Sequence, residues 1–268
     1  MLLELEGTTL KLTRPHTMAI TKSTIQWIRS LERKKERDSQ GVFLAEGPKI
    51  CLELLRQSKC VHLFVTSTDL LPASHPGEWP VQMISLSELE RMSLQKTPQG
   101  MLGVFMKPSE EEAVDTKSNL VLALDGVQDP GNVGTIIRLA DWFGVKDLVL
   151  SPQCADVYSP KVVQATMGAI ARIRFHVMPL EPFLENLPED CPIYTTELEG
   201  KSIYNEPLST NGVIVMGNEG KGVSPRVRAL SKRRLLIPSY PALATTSESL
   251  NVSIATAVIL SEFRRRQH

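Results

Sequence analysis

The feature that most restricts the fold is a set of short apolar runs spaced along the second half of the chain: 120–124, 148–150, 173–177 and 213–216. Segments of helical pattern near 132–143, 160–168 and 224–231 lie between them. Strands apolar at consecutive positions must be covered on both faces, and strands that alternate with helices pair in parallel. The region therefore reads as a parallel sheet sandwiched by helices. A last helix is expected over about 250–265, where Leu250, Ile254, Val258 and Ile259 recur at helical spacing.

The first half carries a smaller α/β pattern. Ile25, Ile28 and Leu31, then Ile50, Leu54 and Leu55, mark helices, and 42–45, 63–65 and 102–105 mark strands. A polar break over 107–118, with Pro108, Ser109, Glu110, Glu111, Glu112 and Asp115, separates the halves. The expected division is an extension-like segment over 1–17, an α/β domain over 18–107, a linker over 108–118 and the parallel-sheet domain over 119–268. A chain of 268 residues suits two domains of ordinary size.

Thirty basic residues balance thirty acidic ones, so no global field draws the protein to a polyanion, and any such site must be local. Two clusters qualify. The stretch 22–37 has six basic residues against two acids, and 221–234 has six against none. Aromatic residues are 5% of the chain, which does not suggest an extensive base-stacking surface. The four cysteines form no C-x-x-C pair and no histidines stand at zinc-ligand spacing, so neither a disulfide framework nor a metal site is expected. Reduced thiols, no signal-peptide pattern and no run of 18 apolar residues lead to the expectation of a cytoplasmic protein with no membrane partner.

In an open parallel sheet, ligands bind beyond the carboxyl ends of the strands. Three segments follow predicted strands there. DGVQDPGNVGTIIRLADWFG places Asn132 near a helix start and Arg138 within the next two turns, flanked by Ile136, Ile137, Leu139 and Ala140, which points to a partly buried arginine. VIVMGNEGKGVSP runs from a buried strand into glycines 217, 220 and 222, whose spacing matches neither the dinucleotide fingerprint nor the phosphate loop. A nucleotide-dependent oxidoreductase thereby loses its main support. The third segment, LLIPSYPALATTSESLNVSIATAVILSEF, sets Ser249, Leu250, Asn251 and Ser253 around the start of the last helix, where Ser and Asn serve as caps.

In order and spacing these segments resemble the three motifs of the SpoU/TrmH family of RNA ribose 2′-O-methyltransferases, in the SPOUT superfamily. RDSQGVFLAEGPKICLEL at 37–54 is similar to the RNA-substrate-binding domain often attached to them. The stretch between Pro238 and Ser249 is longer than the family's usual loop and lacks glycine. The resemblance implies a parallel-sheet domain closed by a deep trefoil knot, a rare exception to unknotted topology, with a smaller N-terminal RNA-binding domain. It also implies S-adenosylmethionine as cofactor, lined by Thr196, Met216, Gly217, Asn218, Ile237 and Leu250. Arg138, Asn132, Glu219, Ser249 and Asn251 would form the catalytic set, with Arg138 supplied across a homodimer. Arg33, Lys34, Lys35, Arg37 and Lys221 would meet RNA. Ribosomal RNA is the expected substrate. Transfer RNA, or a non-catalytic RNA-binding role on the same fold, are the alternatives.

Overall fold

The computed structural model describes residues 19–72, 79–108, 113–241 and 249–267. The segment 1–17 and part of the expected linker, 109–112, lie outside the described residues. In the first half, α1 (Lys22–Ser30), α2 (Lys34–Gln40), β1 (Val42–Glu46), α3 (Pro48–Leu55), β2 (Cys60–Val65), β3 (Val81–Met83), α4 (Leu86–Met92) and β4 (Met101–Met106) follow in order. The sheet order is β1-β4-β2-β3. β4 is antiparallel to both neighbours, while β2 and β3 are parallel. Side chains alternate across this sheet. Phe43, Ala45, Leu63 and Phe105 pack toward α3, whereas Val42, Leu44, Phe64 and Val104 pack toward α1 and α4.

The second half contains β5 (Leu120–Asp125), α5 (Pro130–Trp142), β6 (Asp147–Leu150), α6 (Pro160–Thr166), β7 (Arg174–Val177), α7 (Leu180–Glu185), β8 (Ile193–Ser202), β9 (Gly212–Gly217), α8 (Pro225–Leu230), β10 (Arg233–Leu236) and α9 (Val252–Arg265). Its sheet has the order β10-β8-β9-β5-β6-β7, and every neighbouring pair is parallel. One face meets α5 and α9 through Leu122, Leu148, Ile214, Ile136 and Phe263. The other meets α7 and α8 through Val121, Val149, Val215, Leu184 and Val227. This double coverage accounts for the consecutive apolar positions. The exceptions in β7 are satisfied pairwise: buried Asp147 accepts from Arg174 Nε at 2.8 Å and lies 2.9 Å from His176 Nε2. The implied knot would involve the connection from β10 to α9, and 242–248 of that connection lie outside the described residues.

The two halves do not simply flank a flexible tether. Val163 of α6 and Ile170 belong to the same core cluster as Phe43, Ile50 and Leu63. Thr116, inside the expected linker, is buried, and Asn211 Nδ2 donates to the Thr116 and Lys117 carbonyls.

Arg37 crosses the same seam, which corrects its expected role in RNA binding. It is 2% exposed, and its guanidinium donates to the Leu31 and Glu32 carbonyls and to the Asp156 carboxylate. A cation so enclosed is unavailable to phosphate. Removing one member of a buried pair leaves the other uncompensated, so Arg37→Ala is expected to lower unfolding free energy by about 3 kcal/mol or more. Arg37→Met combined with Asp156→Leu should recover much of that loss, since apolar replacement of both members removes the stranded charge. Urea unfolding of the three proteins checks this; equal losses in single and double variants would refute it.

Candidate active site

β5 and β9 end in register, with Asp125 opposite Gly217, so the segments that follow emerge side by side. After β5 the chain turns at Gly126, whose φ of +68° suits glycine. Asp129 then caps α5, its carboxylate accepting from the Asn132 N–H at 2.8 Å, and Pro130 occupies the first helical position. This fixes Asn132 in the first turn.

The loop after β9 folds back on itself. Asn218 and Gly222 exchange backbone hydrogen bonds of 3.0 and 2.9 Å, and the Asn218 carbonyl oxygen Oδ1 accepts from the N–H groups of Gly220 and Lys221. Asn218 Nδ2 donates to the Gly126 carbonyl at 2.7 Å, and the Ser224 N–H donates to Asp125 Oδ2 at 2.7 Å. The first two motifs are therefore laced together.

Glu219 is carried by that loop. Its Oε1 accepts from Asn132 Nδ2 at 3.0 Å and from the Asp129 N–H at 3.3 Å. Asn251 in turn donates from Nδ2 to Asn132 Oδ1 at 2.9 Å, while its own Oδ1 caps α9 by accepting from the N–H groups of Ser253 and Ile254. One chain of hydrogen bonds, Glu219 to Asn132 to Asn251, thus joins all three motifs. Each amide in it uses a donor on one side and an acceptor on the other.

Burial pushes the Glu219 carboxyl up, but the Asn132 amide and backbone N–H donors outweigh it and hold the group below the ordinary glutamate range. A carboxylate depressed in the folded protein contributes stability above its unfolded value, about 4.3, and loses it as pH falls through the lower folded value. The difference in Tm between the wild type and Glu219→Gln is therefore expected to be constant above about pH 5 and to shrink in more acidic solution. Thermal melts across pH check this, and a difference that widens toward acid would contradict it.

Arg138 departs from the sequence expectation. It is exposed rather than partly buried and makes no hydrogen bond or ion pair with a described residue. It lies six residues beyond Asn132, about 9 Å along α5. Glu219 and Asn132 of the same chain do not hold it. Ser249 is also exposed and unpartnered among the described residues.

The positions implied as cofactor-lining are spread over β8, β9 and the loop after it, the residue after β10 and the approach to α9. Thr196 follows Thr195, which pairs with Val215, and its Oγ1 donates to the Val215 carbonyl at 3.4 Å. Met216 and Gly217 end β9, Ile237 follows β10, and Leu250 stands half exposed just before α9.

Of the other residues expected to bind RNA, Arg33 pairs with Glu36, and Lys34 pairs with Asp38. Lys35 and Lys221 are exposed with no ion pair among the described residues. Two functional positions escaped the sequence reading, Asp129 and Asp125. The DPG triplet ahead of a helical segment carries the signal of a cap at Asp129. No local pattern marks Asp125 as the acceptor for a residue 99 positions away.

Residues 119–261 match the SpoU rRNA Methylase family, and residues 22–103 match the MRM3-like substrate binding domain. The 23S rRNA (guanosine(2553)-2′-O)-methyltransferase RlmP of Bacillus subtilis is 31% identical over 239 residues, covering 88% of this chain and 94% of that protein. The mitochondrial rRNA methyltransferase 3 of Homo sapiens is 25% identical over 293 residues, covering 86% and 69%. A Porphyromonas gingivalis structure assigned to the TrmH family of RNA methyltransferases superposes with a TM-score of 0.83 at 41% identity, covering 93% of this chain and all of that one. An AdoMet-bound rRNA methyltransferase from Sinorhizobium meliloti gives 0.81 at 27% identity, covering 94% and 98%.

Proposed function

Because the chain belongs to the SpoU rRNA methylase family, we propose that it methylates a ribose 2′-hydroxyl of ribosomal RNA, with S-adenosylmethionine as donor. The observation that carries this reading is the Glu219–Asn132–Asn251 chain at the carboxyl ends of β5 and β9 and the start of α9. The strand ends fit the cofactor. Gly217 has no room for a side chain, so main chain itself forms the wall, while Leu250 and Ile237 offer apolar surface to a purine ring. When bound, the cofactor supplies an electrophilic methyl group on a sulfonium.

The protein's task is to hold the 2′-oxygen in line with that methyl and to stabilise it as its proton departs. A guanidinium stays protonated in proteins, so Arg138 serves as a cationic partner for the developing alkoxide or the adjacent phosphate, not as a base. Asn251 has both side-chain atoms engaged in capping α9 and fixing Asn132, so it positions rather than binds. Ser249, unpartnered at the same entrance, is the group available to the ribose.

Arg138 reaches a site by homodimer formation. Trp142, one helical turn beyond it, is 84% exposed, and Ile254 of α9, the helix packed on α5, is 55% exposed. A second copy would cover these apolar side chains and deliver its Arg138 to the first copy's cofactor site, in a pairing with two equivalent sites. All four cysteines are free thiols, in keeping with the cytoplasm, and no helix among the described residues is long and apolar enough to cross a membrane.

Of the residues expected to bind RNA, Lys35 and above all Lys221 beside Glu219 keep a cation without an ion pair among the described residues, and the phosphate contacts are assigned to them. RNA affinity should drop with salt, and Lys221→Ala should lower the slope of log affinity against log salt by about one. Filter binding over a salt series measures it; an unchanged slope would remove Lys221 from the interface. The proposed reaction is tested with tritiated S-adenosylmethionine, ribosomal RNA and transfer RNA. Label should appear in 2′-O-methylnucleosides from ribosomal RNA. Label confined to base-methylated nucleosides, or to transfer RNA, would overturn the reading.

A further inference from the structure

We propose that Tyr240 is a stacking platform for an unpaired base of the RNA, next to the ribose being methylated. Its ring is 94% exposed, and no described residue packs on it or hydrogen-bonds to it. The fold gains nothing from this aromatic surface, since the benefit of a large apolar side chain comes from removing it from water. Among the other described Phe, Trp and Tyr residues only Trp142 and Tyr204 are exposed. Trp142 ends α5, away from Asn132, and Tyr204 sits on a loop whose carbonyl Arg266 grips beyond the end of α9. Tyr240 is the exposed ring on the segment that leads from β10 through Ile237 toward the third motif.

Its placement is constrained by the chain. β10 ends at Leu236, Ile237 packs onto the sheet core, and Tyr240 follows three residues later. Three residues span at most about 10 Å, so the ring stays on the carboxyl side of the sheet, within that reach of Ile237, which is assigned to the cofactor. Pro238 and Pro241 flank it and restrict the backbone, which lowers the entropy lost when the loop settles on a ligand. A ribose can be presented to the strand ends only if its nucleotide leaves the helical stack, and bases splayed from RNA are held by aromatic faces. One ring per site is consistent with a chain poor in aromatics that grips a single base.

This inference rests on the methyltransferase reading, and its test is separable from that reading because binding is measured without turnover. Fluorescence anisotropy compares labelled oligoadenylate with an abasic ribose-phosphate chain of equal length. The wild type is expected to prefer oligoadenylate about tenfold, Tyr240→Phe to keep that preference, and both Tyr240→Ala and Tyr240→Leu to lose it. Affinity for S-adenosylmethionine, measured by calorimetry, should be unchanged in all three variants, which also shows that they fold. The proposal is overturned if Tyr240→Ala keeps the preference for bases, if Tyr240→Leu matches Tyr240→Phe, or if the loss falls on S-adenosylmethionine instead.

Discussion

Arg138→Ala is expected to slow methyl transfer by a factor on the order of 100 to 1,000 while leaving affinity for S-adenosylmethionine within a few-fold, because its charge acts on the developing alkoxide and not on the cofactor. No described residue of its own chain holds this side chain, although it stands on a helix whose neighbouring positions Ile136 and Ile137 are fully buried. Lysine should rescue poorly, since it keeps the charge but loses the planar fork that can engage two oxygens at once. The partner-supplied role has its own signature. Mixing Arg138→Ala subunits with subunits unable to bind cofactor should restore about a quarter of wild-type activity, because half the dimers are mixed and each has one complete site. No recovery on mixing would mean that Arg138 works within its own chain. Wild-type turnover in the lysine variant would remove the geometric part of the argument.

Gly217→Ala is expected to abolish cofactor binding. A Cβ at this position would lie 2.3 Å from both the Gly222 carbonyl carbon and the Val223 nitrogen, and these are backbone atoms with no side-chain freedom to yield. The loop would have to leave the strand end, taking with it Asn218, which ties it to Gly126, and Glu219, which ties it to Asn132. Gly220 provides the control, since its added Cβ would meet nothing closer than 3.8 Å and its φ is not positive. Calorimetry should therefore detect no S-adenosylmethionine binding to Gly217→Ala and near-normal binding to Gly220→Ala. Normal binding by both would show that the loop does not form the cofactor wall.

These two residues also show what can be read from a linear chain. β5 and β9 are legible because strands buried on both faces are apolar at every position, as in LVLAL and VIVM. β8 is not, since IYTTELEGKS crosses the partly exposed side of the sheet and carries Glu197 and Glu199, partners of Arg228. The strand β10, with only four residues beginning with two arginines, is too short and too basic to stand out. The motif residues were identifiable, but their mutual hydrogen bonds span 87 and 119 positions and exist only once the strands align. Arg37 was misread for the same reason. In sequence it belongs to a basic cluster, and only the packing of α2 against the second half reveals Asp156 as its partner.

The most direct test of the account is a map of 2′-O-methylated nucleotides in ribosomal RNA from cells with and without this protein. Loss of the protein should erase a defined 2′-O-methyl site in ribosomal RNA, and re-expression of the wild type should restore it where Arg138→Ala does not. A ribosomal RNA map identical in both cells, or full restoration by Arg138→Ala, would contradict the account.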